Sequence, residues 1–171
     1  MPTPSRLSRR LLAVGAATAL AASLSGCSLI NSIIDKPVTR DAETEEVVEG
    51  GTSSVFSIKV GDCINDDSTS EEVFEVEAVP CAEPHDLEAF HEFSLDGSEY
   101  PGDDEVAQQA DTGCYDQFTT FVGLSYEDST LEYAPYTPTE ASWTEDGDRL
   151  VSCMIGDPEG RTTGSLAGVA H

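Results

Sequence analysis

Pro80-Cys81-Ala82-Glu83-Pro84-His85-Asp86-Leu87-Glu88, with His91 three residues on, is the densest grouping of reactive side-chain types in the chain. Imidazole and carboxylate together suit zinc ligation and general acid–base work. His85, Asp86, Glu88 and His91 are therefore one candidate set, for a metal-binding protein or a metal-dependent cell-wall hydrolase, with Glu83 a further carboxylate. His85 and His91 are an even number of residues apart, so a continuous strand would point both to one side. The competing reading is structural: His85 and Asp86 fix a turn by hydrogen bonds, and His91 lies on a strand face. The structural reading is preferred, because the spacing is not specific for a metal.

Other chemistry has less support. Acidic loops at Asp62 to Asp67, Asp96 to Glu105 and Glu145 to Asp148 lack the calcium-loop spacing with its distal glutamate. The sequence holds no G-x-S-x-G, no H-E-x-x-H and no glycine-rich phosphate loop. Ser165 follows Gly164 without an evident base beside it. Among 33 acidic residues, a glycosidase-like carboxylate pair carries no signal. No catalytic residue, resident metal or cofactor is expected. Tyr126, Tyr133, Tyr136 and Trp143 lie in or near proline-containing stretches. They either form a recognition surface for peptide or glycan or complete a small core.

Leu24-Ser25-Gly26-Cys27 closes an apolar run from Leu11 to Leu24 that follows Arg6, Arg9 and Arg10. A basic region, an apolar region and small residues before one cysteine read as a lipoprotein signal, residues 1–26, with Cys27 the lipidated new N-terminus. The apolar run is shorter than the ~20 residues needed to span a bilayer. The expected address is the extracytoplasmic face of the cell membrane, reached through the lipid anchor. Loss of the three leader arginines would move the formal charge from −25 to −28. Such a surface repels nucleic acid.

Four cysteines remain: Cys63, Cys81, Cys114 and Cys153. In an oxidising compartment an even number implies two disulfides, for which three pairings exist. Spacing favours Cys63–Cys81 as a local staple and Cys114–Cys153 as a link from helix to late strand. The absence of C-x-x-C argues against a redox site or zinc ribbon.

The elements that must position these groups follow from periodicity. Residues 27–54, acidic and ending in Gly50-Gly51-Thr52-Ser53-Ser54, read as a lipidated cysteine with a flexible tether, and 55–171 as the globular domain. Strands are expected at Val55 to Val60, at Glu72 to Val79 with Phe74, Val76 and Ala78 inward, and at Leu87 to Leu95. Val106, Ala110, Cys114 and Phe118 recur every fourth residue, which predicts a helix from Asp103 to about Val122. Leu131 to Tyr136 reads as extended. Trp143 and Leu150 to Ile155 read as a hairpin about Glu145 to Asp148, and Gly164 to Gly168 as a last short strand. The class is α+β: a small, mainly antiparallel sheet packed with one main helix and closed by two disulfides.

Val60-Gly61-Asp62-Cys63, Val79-Pro80-Cys81-Ala82-Glu83-Pro84-His85-Asp86, Cys114, Trp143 before Arg149-Leu150-Val151-Ser152-Cys153, and Thr163-Gly164-Ser165-Leu166 together resemble the septum formation-related domain of actinobacterial envelope proteins. The likeness runs from about Ser57 to Val169, with Leu87 in place of a more familiar small residue. It implies a membrane-anchored envelope protein with a cell-wall or division partner, and it implies no catalytic residues. His85, Asp86, Glu88, His91 and Trp143 are the residues expected to lie at or near a binding face.

Overall fold

The computed structural model describes residues 36–66 and 73–170. The leader, Cys27 and the stretch before Lys36 lie outside the described residues. Among the described residues, eight strands and one long helix follow in the order β1 (Thr39–Arg40), β2 (Val47–Glu49), β3 (Gly51–Ser54), β4 (Cys63–Asn65), β5 (Glu75–Val79), β6 (Leu87–Ser94), α1 (Asp103–Val122), β7 (Glu132–Tyr136) and β8 (Leu150–Gly156). Six strands form one antiparallel sheet in the order β3-β5-β4-β6-β8-β7, and β1 pairs with β2 alone. The α+β class with one main helix is as the sequence predicts.

Each face of the sheet carries its own core. In β8, Val151, Cys153 and Ile155 join Val106, Ala110, Cys114, Phe118 and Val122 of α1, while Met154 between them joins the opposite cluster. That is strand alternation distributing one segment between two cores. The second core, built on Ile64, Val76, Ala78 and Ala89, is completed by Val47 of β2 and by Ile58. Both disulfides form as expected from spacing, Cys63–Cys81 and Cys114–Cys153. The second ties α1 to β8 through the helix-side core.

α1 spans Asp103–Val122, with Asp103, Asp104 and Glu105 in its first turn. Negative charge there complements the helix dipole. Gly113 in its middle costs roughly 1 kcal/mol relative to alanine in propensity alone. It is required because a Cβ at 113 would lie 2.3 Å from the Phe93 ring. The helix thereby seats directly on β6.

The tether reading fails from Lys36 onward. Residues 36–54 fold: β3 pairs with β5 from Gly51↔Ala78 to Ser54↔Glu75, and Pro37 bridges Thr52. The glycine pair suggests a flexible linker in sequence, yet a Cβ on Gly51 would lie 2.2 Å from the Lys36 carbonyl oxygen. Gly51 thus marks a close crossing of two backbone segments rather than looseness. The domain boundary accordingly lies well before residue 55.

Four smaller expectations are corrected. Val55–Ser57 is a 3-10 turn, capped by the Ser54 hydroxyl accepting from the Phe56 N–H, instead of the start of a strand. Phe74 precedes β5 and is exposed, although Val76 and Ala78 are buried as their period predicts. Trp143 sits in a π-helical turn, Ser142–Asp146, so no hairpin forms with β8. Asp148 stabilises that turn by accepting from the Ser142 hydroxyl at 3.0 Å and from the Leu150 N–H at 2.9 Å. Residues 164–168 form no strand; the C-terminal segment is instead fastened by side chains.

Candidate functional site

β6 and the turn before it place the candidate residues. His85 is fully buried. Its Nδ1 lies 2.9 Å from the Glu83 carbonyl oxygen, which can only accept, so Nδ1 carries the proton. In the neutral ring Nε2 then accepts from the Thr162 hydroxyl at 3.2 Å. Backbone bonds run both ways between the same two residues, His85 N–H to the Thr162 carbonyl at 3.0 Å and the reverse at 2.9 Å. Asp86 forms a two-pronged pair with Arg161 at 2.9 and 3.1 Å. Glu88, also buried, accepts from the Ser165 hydroxyl at 2.7 Å and from the Leu166 N–H at 2.6 Å.

These three side chains are one clasp. Each reaches the segment from Arg161 to Leu166, and the Gly164 N–H adds a bond to the Cys81 carbonyl at 2.6 Å. The clasp holds Leu166 against the helix-side core. A buried carboxylate accepting two donors satisfies groups whose orphaning would cost about 1–3 kcal/mol each.

His91 is elsewhere. A register shift between Ala89 and His91 interrupts the alternation of β6, so counting residues across it misassigns the face. The His91 ring stacks on Phe93, with centroids 5.8 Å apart. The four-residue ligand set is therefore not assembled: both ring nitrogens of His85 and both Glu88 oxygens already have partners inside the chain. Among the described residues, no group of three or more His, Cys, Asp or Glu is arranged to hold a metal ion.

Trp143 is a core residue, 1% exposed, with the Arg149 guanidinium 3.6 Å above its ring and Tyr100 edge-on at 5.6 Å. It offers no surface to a partner. The tyrosines also separate. Tyr136 packs on the second core and donates to Asp66 at 2.5 Å, whereas Tyr126 and Tyr133 pack on the helix-side core.

Sequence reasoning missed a second fastening. Asp62, in the Gly61-Asp62-Cys63 motif, is buried and receives both arms of the Arg40 guanidinium at 2.6 Å, as well as the Lys59 N–H at 2.8 Å. Arg40 also donates to the Glu45 and Ser57 carbonyls. Its pKa is raised above the ordinary arginine value, chiefly by the bond to Asp62. The available signal was scarcity: an arginine among so many acids, in a stretch otherwise resembling a tether.

The arrangement defines a small disulfide-stapled α+β domain whose distinctive motifs fasten its own chain ends: Asp62 takes the N-terminal segment and His85-Asp86-Leu87-Glu88 takes the C-terminal one. The chain belongs to the Septum formation family, whose family model matches residues 27–166. The match reaches back well before residue 55, as the folded N-terminal segment does. No curated protein and no solved structure matches the chain.

Proposed function

We propose that this protein is a lipid-anchored, extracytoplasmic binding protein of the cell envelope, without catalytic activity of its own, that serves septum formation by engaging a wall or division partner. The observation that carries this reading is the clasp. The side chains best suited to chemistry, His85, Asp86 and Glu88, are bonded to the C-terminal segment. Their polar atoms are engaged in holding shape, which leaves the surface as the means of action. Family membership supports the link to septum formation.

The anchor reading rests on the leader pattern and Cys27. Only eight residues separate Cys27 from Lys36. At ~3.3–3.6 Å per extended residue, their Cα atoms can be no more than about 32 Å apart. A domain so attached works close to the membrane surface.

Photo-crosslinking in living cells, followed by identification of what is captured, tests the binding reading. Specific capture of one envelope or division protein is expected; hydrolysis of purified wall polymer by the full chain would overturn the non-enzymatic part. Metabolic labelling with an alkyne fatty acid tests the anchor. Label should enter the native chain and be absent from Cys27→Ser.

A further inference from the structure

Three tyrosines from three different elements cluster beside Phe118 of the helix, two of them against its ring and the third against Tyr126. Tyr115 comes from α1, Tyr126 from the 3-10 turn Tyr126–Asp128, and Tyr133 from β7. Tyr126 stands edge-on to Phe118 at 5.1 Å, to Tyr133 at 5.0 Å and to Tyr115 at 6.2 Å between centroids. Tyr133 lies 6.1 Å from Phe118. Phe118 is fully buried and forms the floor; Tyr115 is 42% exposed, and Tyr126 and Tyr133 are partly so.

Two exposed carboxylates complete the group. Tyr115 donates to Glu127 at 2.5 Å and Tyr133 to Asp111 at 2.7 Å. Asp111, Tyr115 and Phe118 fall at positions i, i+4 and i+7 of α1, which lie along one side of a helix. The phenol–carboxylate bonds hold the rings in place before any ligand arrives, so little side-chain freedom remains to be lost on binding. The lysines and arginines among the described residues are engaged at other places: Lys36 with Glu49, Arg40 with Asp62, Lys59 with Glu45, Arg149 over Trp143 and Arg161 with Asp86.

We propose that Tyr115, Tyr126 and Tyr133, with Asp111 and Glu127, form the recognition face for a lysine- or arginine-bearing segment of a protein partner. The proposal deepens the binding reading above and rests on it. Ring faces attract ammonium and guanidinium groups, and neighbouring carboxylates add to that attraction. A formal charge of −25 favours encounter with a basic segment. β7 is a free sheet edge, but Pro135 lacks the N–H that a continuous added strand would need. Recognition here runs through side chains.

The test titrates the full chain, solubilised in detergent, with fluorescent octalysine at about 0.15 M salt, where long-range attraction is screened. Asp111→Asn with Glu127→Gln should weaken binding about fivefold or more, and Tyr126→Leu about two- to fivefold. A charge-matched pair on other exposed residues, Glu99→Gln with Glu159→Gln, should change it less than about twofold. Circular dichroism checks that each variant keeps its fold, and the amide pair preserves side-chain shape should the leucine variant unfold. Equal weakening by the two charge-matched pairs would overturn the proposal, since octalysine would then sense net charge alone. In-cell crosslinking distinguishes the two levels. A partner captured as well by the Asp111→Asn, Glu127→Gln chain as by the parent would sink this face and leave the binding reading standing.

Discussion

Ile155 and Ile64 are both fully buried, yet the sheet faces they occupy are covered by different means. Over Ile155 lies a continuous 20-residue helix that contributes five buried side chains at helical period and is joined to β8 by Cys114–Cys153. Over Ile64 lies an N-terminal segment with a two-strand hairpin, whose residues Val47 and Ile58 enter the core. That segment is attached by the Arg40–Asp62 pair and by the pairing of β3 with β5. The helix side rests on apolar area, each large buried side chain contributing about 1.5–3 kcal/mol. The hairpin side adds to a smaller core the Arg40–Asp62 pair and the exposed Lys36–Glu49 and Lys59–Glu45 pairs. The first should resist salt and moderate acid; the second should not.

The largest expected effect is on the helix side. Phe118→Ala removes the floor shared by Phe90, Tyr126 and Tyr133, and should cost about 3–5 kcal/mol. Urea denaturation measures it, and a loss below about 1 kcal/mol would mean that this core is not continuous. Next comes Arg40→Ala, which leaves Asp62 buried without its counter-charge. A fully buried pair broken in this way loses roughly 3–5 kcal/mol, and the partial exposure of Arg40 reduces the expectation to about 2–3 kcal/mol. The sharper readout is hydrogen exchange. β3 amides should lose protection while α1 keeps its own, and equal loss in both would erase the distinction between the faces.

The clasp belongs to the helix side, since Glu88 stands opposite Ile155 and holds Leu166, both members of that core. Glu88→Ala orphans the Leu166 N–H and should destabilise by about 1–3 kcal/mol. Limited proteolysis should then cut after Arg161 sooner than in the parent; an unchanged cleavage pattern would count against the clasp.

The smallest effect separates the faces by pH. Asp41 is held below its ordinary 3.8 by the Thr44 and Glu43 N–H groups, Glu45 below 4.5 by Lys59, and Glu49 below 4.5 by Lys36. A carboxyl lowered on folding stabilises above its ordinary pKa, and that contribution is lost as pH falls through it. All three lie in the N-terminal segment, whereas Glu127, lowered by the Tyr115 hydroxyl, lies on the helix side. Alkali acts in the opposite sense. Burial and the Asp103 bond push the Tyr100 phenol up to about 12, Tyr133 is raised by burial and Asp111, and Tyr115 is raised by Glu127. A phenol raised on folding stabilises below its ordinary pKa of 10 and ceases to as pH rises through the folded value. Those three lie on the helix side; Tyr136, raised by burial and Asp66, lies on the other. Exchange protection followed across pH should show the hairpin side loosening first in acid and the helix side first in base. The same order at both extremes would refute the assignment.

Local order was readable and assembly was not. The helix limits, the alternation of Val76 and Ala78 with Glu75 and Glu77, the two disulfides and the family likeness all depend on residues near one another in sequence or on cysteine spacing. The tether reading failed because Gly50-Gly51 has two meanings. Flexible linkers and close backbone crossings use the same residue, and only the Lys36 carbonyl passing over Gly51 separates them. His91 was placed beside His85 by parity, which a single register shift in β6 undoes. Trp143 was offered as a binding residue, but its burial follows from Arg149 and Tyr100, which reach it from elsewhere in the chain.

The sequence by itself determined the class of fold, the length and inner face of α1, the even set of four cysteines and the family, because helical period, strand period and residue count are local properties of the chain. The tertiary structure alone decided what His85, Asp86 and Glu88 are for. Their partners lie 75 to 78 residues away, and a polar side chain becomes ligand, catalyst or fastening according to which groups the fold brings within hydrogen-bond reach.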